Sequence, residues 1–270
     1  MHWIWLGIIS VLFSFGNLKA DFNDKLKKFH VCTVANFMHP NLTKLIKTSK
    51  NLGIEVEVIG MNRPYYHNAT KLVYLREYLN KLRDDDIVMF IDAFDVLIIQ
   101  NKKTILEKFL KANQPFIMSA ERNCYPKDFY PNYHPNNPKY KVKNFVRDKS
   151  DWTKHQYINT GSYIAYVKNI KQWIDDLNPD KHDSDQRQVQ RLYFAKPDKR
   201  HFVLDYKCDL FMPMAYVESK DVEFKDRKVF NLKTHTYPAV IHTNGSKAKF
   251  WFDKVYNRIF GNSVLLNKKT

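Results

Sequence analysis

The feature that most constrains the fold is a regular alternation of strand-like and helix-like segments along the first half of the chain. Alternation of this kind predicts βαβ units, and therefore an α/β protein with an open, mostly parallel, Rossmann-like sheet flanked by helices. Ile87–Ile91 is apolar throughout, as expected of a parallel strand that is covered on both faces. The predicted elements are strands at Lys28–Ala35, Ile54–Ile59, Ile87–Ile91 and Pro115–Ser119, and helices at Pro40–Asn51, Thr70–Arg83 and around Ile105 to Leu110.

The second half of the chain begins with a long segment, residues 123–156, that is rich in proline, tyrosine and asparagine. Loops of this length are usually functional, so we expect it to cover the mouth of a cleft. No linker divides the chain, and a single domain over residues 21–270 is predicted. The elements predicted after the loop are strands at Tyr157–Val167, His201–Leu204 and Ala239–His242, and helices at Asn169–Leu177, Ser184–Phe194 and Phe250–Phe260.

Residues 1–20 are predicted to be a secretory signal peptide. Trp3 to Phe15 is almost wholly apolar, and the small residue Ala20 precedes a possible cleavage point. A signal anchor is the alternative interpretation, although the apolar core is shorter than the roughly 20 residues of a membrane span. We therefore expect no stable membrane span and a location in the secretory pathway, either in the endoplasmic reticulum lumen or outside the cell.

The formal net charge of +16 favours anionic partners. The basic residues are scattered, and a lumenal location speaks against nucleic acid as the partner. The three cysteines fit no zinc-binding spacing and allow one disulfide at most, with the pairing left open. Sequons at Asn41 and Asn68 predict surface glycans.

Asp92 and Asp95 follow directly after the most apolar predicted strand. Open parallel sheets bind ligands beyond the carboxyl ends of their strands, so both carboxylates are expected in a cleft. Residues three apart in a strand point to opposite faces, and the chain must turn after Ile91 if both are to hold one ion. Mn²⁺ or Mg²⁺ bridging the carboxylates to a diphosphate would suit these oxygen ligands. The alternative is a pair of solvated or helix-capping aspartates.

Two further stretches offer side chains for the same cleft. His242 ends a short predicted strand, and the Asn244-Gly245 turn after it presents backbone N–H groups suited to phosphate. The segment from Asp183 to Gln186 opens a predicted helix. It either caps that helix and complements its dipole, or holds sugar hydroxyls through Asp185 and Gln186.

Six short motifs, taken together and in order, resemble the glycosyltransferase domain of procollagen lysyl hydroxylases and the related collagen glycosyltransferases. The motifs are IDAFD, SAERNCYP, INTGSYIAY, DSDQ, LDYKCDLF and IHTNG, and the resemblance runs from about His30 to Phe260. It implies a GT-A fold. It also implies Mn²⁺-dependent transfer of glucose or galactose from a UDP-sugar to hydroxylysine or galactosyl-hydroxylysine of collagen, with Mg²⁺ as a possible substitute.

Position by position, the resemblance makes Asp92 and Asp95 the metal-binding acidic pair and His242 the third ligand. Glu121 matches the glutamate of the family's Ser-Ala-Glu motif. The other matched positions are Lys71, Phe94, Asn159, Gly161, Asn244 and Gly245, together with Asp92, at the UDP-sugar, and Asp183, Asp185 and Gln186 at the transferred sugar and the transfer step.

The sequence departs from the family pattern at several of these motifs. Ser184 interrupts an acidic run, Tyr125 replaces a tryptophan, and Thr243 and Ser246 replace glycine and proline around Asn244. These departures leave the handling of the sugar open. The choice between a retaining and an inverting outcome is open as well, because it depends on the geometry of the carboxylates, which a sequence does not give. No hydroxylase activity is predicted, because the matching stretch is the transferase part alone. A transferase with a different glycan or protein acceptor, or an inactive secreted glycan-binding relative, are the alternatives.

Overall fold

The computed structural model of the protein describes residues 28–133 and 154–266. The predicted signal peptide and most of the predicted covering loop lie outside the described residues. The strands are β1 (Phe29–Val34), β2 (Val56–Ile59), β3 (Ile87–Ile91), β4 (Val96–Ile98), β5 (Phe116–Glu121), β6 (Tyr157–Tyr166), β7 (Val203–Asp205), β8 (Phe211–Pro213), β9 (Val222–Lys225), β10 (Lys228–Asn231) and β11 (Val240–His242). The α-helices are α1 (Pro40–Asn51), α2 (Thr70–Leu79), α3 (Lys102–Ala112), α4 (Val167–Leu177), α5 (Asp185–Ala195) and α6 (Lys249–Leu266).

A six-stranded sheet in the order β2-β1-β3-β6-β5-β7 forms the centre of the molecule. Strand β1 pairs in parallel with β2 and β3, and β5 pairs in parallel with β7. Strand β6 runs antiparallel between β3 and β5. The predicted α/β class with a mostly parallel sheet is therefore confirmed, with β6 as the antiparallel strand.

Strand β3 lies at the centre of the core, and all five of its residues are buried. On one face, Phe90 packs with a cluster that includes Leu72 and Leu75 of α2. On the other face, Met89 packs with a cluster that includes Leu45 of α1 and Phe109 of α3. Burial of each such side chain stabilises the fold by about 1.5–3 kcal/mol, so packing on both faces fixes the direction in which β3 emerges.

A second sheet of three short strands, in the order β4-β11-β8, adjoins the central sheet. Strand β11 pairs antiparallel with β4 and parallel with β8. Its outer face is covered by Trp251 of α6, which is fully buried. Of these strands only β11 was predicted from the sequence.

Cys32, Cys124 and Cys208 are all buried free thiols, so the disulfide that the sequence allows is not formed. Within the described ranges, each helix is too short or too polar to cross a bilayer.

Candidate active site

The candidate active site lies where the chain passes from β3 of the central sheet to β4 of the second sheet. The chain turns directly after Ile91, as a shared ion requires. The Asp92 N–H donates to the Gly161 carbonyl at 2.8 Å, and the Thr243 N–H donates to the Asp95 carbonyl at 2.7 Å. These backbone bonds place Asp92 and Asp95 beside the end of β11.

Asp92, Asp95 and His242 come together at this point, with ligand atoms that all lie within 4.8 Å of one another. His242 Nε2 is 3.3 Å from Asp95 Oδ1 and 3.7 Å from Asp92 Oδ2. The imidazole is buried, whereas the side chains of Asp92 and Asp95 are 31% and 36% exposed and open towards a cleft. Two carboxylates and one imidazole form a donor set that suits Mn²⁺ or Mg²⁺, so these residues fit such an ion.

Charge interactions within this trio stabilise the protonated form of His242 and the ionised form of Asp95. Burial lowers the pKa of His242, but the nearby Asp95 and Asp92 outweigh it and the net shift is upward. Burial raises the pKa of Asp95, but the attraction and hydrogen bond of His242 leave it below its usual value. The arrangement therefore keeps negative charge on Asp95 in a partly buried position.

Because Gly161 has no side chain, it leaves room for the side chains of His242 and Asp92. A Cβ at this position would lie 2.2 Å from His242 Cε1 and 2.6 Å from Asp92 Oδ2. Any larger residue would displace a donor atom, which gives a steric reason for the glycine.

A buried lysine connects the acidic pair to the predicted sugar-binding residues. Lys71 Nζ, near the start of α2, lies 2.8 Å from Asp92 Oδ1 and 2.8 Å from Asp185 Oδ2. The Thr160 hydroxyl also donates to Asp185 Oδ2. Burial raises the pKa of Asp185, yet the Lys71 ammonium and the Thr160 hydroxyl reverse the shift and hold it below its usual range. Asp185 is therefore an ionised carboxylate in a buried position.

The start of α5 separates the three residues that were predicted to handle the sugar. Ser184 caps the helix and accepts from the Arg187 N–H, as the capping interpretation predicts. Asp185 and Gln186 face the cleft. Asp183 instead turns outward, where its carboxylate lies 3.3 Å from Arg191 Nη1 and 3.9 Å from Arg187 Nε. The structure therefore brings Asp185 and Gln186 to the site, and places Asp183 outside it.

Glu121, at the end of β5, contributes a second buried carboxylate to the site, beside Asp185. It accepts hydrogen bonds from the side-chain amides of Asn159, Gln186 and Asn244. Burial raises its pKa, against the opposing effect of these hydrogen bonds. The sequence matched Glu121 to a family motif but gave it no role.

Two cavities meet at the acidic pair and at Lys71. The inner cavity, about 370 Å³, contains most of the predicted residues, namely Lys71, Asp92, Asp95, Asn159, Gly161, Asp185, Gln186, His242, Asn244 and Gly245. The outer cavity, about 740 Å³, is lined by Phe94, whose ring centroid lies 5.0 Å from that of Phe37 and 5.1 Å from that of His39. Both cavities also contain Asn68.

The inner cavity also contains residues to which the sequence analysis assigned no role. Thr160 is buried, whereas Tyr125 and Tyr216 are more than half exposed. Lys247 Nζ lies 5.4 Å from the Tyr216 ring centroid. The sequence offered a signal for Thr160, which sits between the two motif positions Asn159 and Gly161, and for Tyr125, which replaces the tryptophan of a family motif.

The sheet, the acidic pair at its carboxyl edge and the two adjoining cavities form the arrangement expected of a glycosyltransferase with a GT-A type fold. A family model described as the PLOD GT domain matches residues 25–264, and the chain belongs to this family. The match confirms both the resemblance seen in the motifs and the predicted class of enzyme.

Several curated proteins are similar to the chain. The procollagen-lysine,2-oxoglutarate 5-dioxygenase of Drosophila melanogaster is 26% identical over 85% of the chain and 32% of its own length. The uncharacterized protein R699 of Acanthamoeba polyphaga mimivirus is 30% identical over 63% of the chain and 34% of its own length. The multifunctional procollagen lysine hydroxylase and glycosyltransferase of Caenorhabditis elegans is 23% identical over 82% of the chain and 31% of its own length. The chain thus spans about a third of these relatives.

Among solved structures, the chain is similar to a glycosyltransferase involved in the glycosylation of the major capsid of PBCV-1. The two are 12% identical, with 84% of this chain and 98% of the other covered and a TM-score of 0.44.

Proposed function

We propose that this protein uses Mn²⁺ to transfer glucose or galactose from a UDP-sugar to hydroxylysine or galactosyl-hydroxylysine in a collagen-like protein. The observation that carries the proposal is the convergence of Asp92, Asp95 and His242 at the junction of two cavities. The acceptor is suggested by relatives whose names combine procollagen lysine hydroxylation with glycosyl transfer. Mg²⁺ has the same preference for oxygen ligands and is the alternative ion.

The two cavities provide separate places for the two ends of the donor. The aromatic wall around Phe94 and Phe37 suits the uracil ring, because aromatic rings stack favourably in offset or tilted arrangements. The acidic pair then lies at the diphosphate. The inner cavity, with Asp185 and Gln186, takes the transferred sugar.

Different residues act on the two sides of the bond that breaks, which joins the anomeric carbon of the sugar to the UDP. When bound, the divalent ion supplies a Lewis acid for the negative charge that develops on the departing UDP. Lys71 holds Asp185 ionised beside the sugar, where a carboxylate stabilises the positive charge that grows on the anomeric carbon. Each tenfold gain in rate needs about 1.4 kcal/mol of such stabilisation.

Release of UDP is the direct test of the proposal. UDP-glucose and UDP-galactose are each incubated with the full chain, with and without Mn²⁺. The acceptors are collagen-like peptides that carry hydroxylysine or galactosyl-hydroxylysine. We expect Mn²⁺-dependent UDP release that rises with one of these peptides and is lost in Asp92→Asn, while Asp253→Asn, which removes an exposed surface carboxylate, retains it.

Three results would contradict parts of the proposal. Undiminished release in Asp92→Asn would refute the metal assignment. Release that depends on a different glycan or protein acceptor would refute the collagen assignment and keep the donor chemistry. Donor binding without release would indicate an inactive glycan-binding relative.

We also propose that the protein acts in the secretory pathway. The support is the apolar segment within residues 1–20. N-terminal sequencing of the protein secreted from eukaryotic cells should find the chain starting near residue 21. An intact N-terminus would contradict cleavage.

A further inference from the structure

Glu121 has an unusual set of partners for a buried carboxylate. Its side chain is buried in the cavity wall, and its hydrogen bonds come from amides rather than from a cation. Asn159 Nδ2 donates to Oε1 at 3.2 Å, Gln186 Nε2 donates to Oε1 at 2.8 Å, and Asn244 Nδ2 donates to Oε2 at 2.7 Å. The three donors belong to β6, to α5 and to the turn after β11.

This arrangement fixes which way each amide faces. All three amides turn their NH₂ groups towards Glu121 and their oxygens away, as they must when the carboxylate is ionised and only accepts hydrogen bonds. The oxygen of Asn159 consequently faces the metal side of the site. It accepts from the Gly161 N–H at 3.0 Å and lies 3.2 Å from His242 Nδ1.

The orientation of Asn159 selects the tautomer of the neutral His242 ring. An amide oxygen has no hydrogen to donate, so the hydrogen bond requires the hydrogen on His242 Nδ1. In the neutral ring, Nε2 then keeps its lone pair. Nε2 is the atom that lies 3.3 Å from Asp95 and 3.7 Å from Asp92.

We propose that Glu121 is a positioning residue which, through the amide of Asn159, fixes the His242 tautomer that can bind a divalent cation. The inference rests on the metal site of the proposed function. Outer partners of a metal-binding histidine typically contribute 10–100-fold in metal affinity, so the effect is measurable in metal binding itself.

A purely structural role is the competing explanation, because Glu121 also ties three elements together. Asp205 provides a matched control for that role. Within the described part of the chain its carboxylate accepts only backbone N–H groups, those of Asp209, Leu210 and Phe211, and burial raises its pKa to about 6. Asp205 is not part of either site cavity.

The test compares the full chain with Glu121→Gln and Asp205→Asn. Nitrogen-15 spectra of the histidine rings, recorded without metal at alkaline pH, report the tautomer of His242, which a His242→Gln sample assigns. A glutamine at position 121 offers one acceptor oxygen in place of two and cannot accept from all three amides. The hold on the Asn159 NH₂ group is then weaker, and the amide is oriented mainly by the Gly161 N–H and the Ser119 hydroxyl, which donate to its oxygen. We expect the Nδ1–H tautomer in the wild type and in Asp205→Asn, and a mixture of tautomers in Glu121→Gln.

Calorimetric titration with Mn²⁺ alone gives the second readout. The dissociation constant should rise roughly 10–100-fold in Glu121→Gln and stay unchanged in Asp205→Asn, although both variants lose stability. Should Glu121→Gln fail to fold, Asn159→Ala removes the acceptor for His242 directly and must produce the same two changes.

A wild-type tautomer and wild-type Mn²⁺ affinity in Glu121→Gln, or in Asn159→Ala, would overturn the inference. So would an equal loss of Mn²⁺ affinity in Asp205→Asn. If the wild type shows the Nδ1–H tautomer and binds Mn²⁺ but releases no UDP, the proposed function fails while the role of Glu121 stands.

Discussion

Replacement of Lys71 by methionine tests the charge arrangement that joins the two halves of the site. Methionine keeps much of the length of the side chain and removes the ammonium, which lies 2.8 Å from an oxygen of Asp92 and 2.8 Å from an oxygen of Asp185. Asp92 is 31% exposed and is able to regain water. Asp185 is 3% exposed, so most of the cost falls on its uncompensated charge.

The size of the effect follows from that burial. Removal of one partner from a buried ion pair costs about 3–5 kcal/mol. In a domain of this size each kcal/mol lowers the melting temperature by about 2–4 °C, so Lys71→Met should melt roughly 6–20 °C below the wild type. Urea unfolding at pH 7 without metal measures the free energy directly. Lys44→Met is the control, since Lys44 pairs with the exposed Asp253 and such pairs are worth about 0–1 kcal/mol.

The stability difference between the wild type and Lys71→Met should change with pH in a direction that the pKa of Asp185 determines. In the wild type the folded-state pKa of Asp185 is lowered, so its contribution to stability is present above the unfolded pKa and is lost as the pH falls. Without Lys71, burial raises the folded-state pKa above the unfolded value. The penalty in Lys71→Met is therefore full at neutral pH and shrinks in acid, and the two stability curves converge.

Two results would refute this reasoning about Lys71. One is a free energy of unfolding within about 1 kcal/mol of the wild type at pH 7, below the range for a buried pair. The other is a gap that stays constant with pH. A double variant with Asp185→Asn should regain most of the loss, because no buried charge is then left unpaired.

Three further outcomes are expected. Gly161→Ala should abolish Mn²⁺ binding in calorimetry, because the new Cβ would lie 2.2 Å from His242 Cε1; wild-type affinity would contradict the steric argument. Removal of divalent ions with EDTA should stop UDP release, and Mn²⁺ should restore it; persistent release would exclude a metal requirement. Phe94→Ala should raise the KM for the UDP-sugar roughly fivefold, because about 1 kcal/mol of stacking against the uracil ring is lost. A fall in kcat with an unchanged KM would mean that the uracil ring binds elsewhere.

The central sheet was predictable because its elements carry strong local patterns. The leucines of α2 recur at helical spacing, and β3 is an uninterrupted apolar run, so both were placed correctly from the sequence. The direction of β6 was not predictable, since an apolar strand has the same pattern whichever way it runs. The second sheet was largely missed because β4 and β8 have three residues each, too few to show a period.

The charged contacts of the site depend on long-range packing that a sequence pattern does not contain. Lys71 reaches Asp185 because the start of α2 packs against the segment before α5. There the Ala69 N–H donates to the Asp183 carbonyl at 3.2 Å, and the Thr70 hydroxyl donates to the Lys181 carbonyl at 3.1 Å. The Asp183 side chain points away from the site, towards Arg187 and Arg191. The residue pattern assigned the sugar hydroxyls to Asp185 and Gln186, and the prediction that included Asp183 as well did not anticipate this contact.

The acidic pair and His242 are held in place by the backbone of two sheets, and this bears on how the site binds a cation. Asp92 is anchored to Gly161 of the central sheet, and Asp95 is anchored to Thr243 beside β11. The backbone that carries the metal donors therefore needs little ordering when an ion arrives, and the conformational entropy of that backbone is already lost on folding. An incoming ion must still displace the proton of His242, which is held more tightly because the pKa of this histidine is raised. Mn²⁺ affinity should consequently increase with pH across the titration of His242, because ion and proton compete for the same imidazole nitrogen.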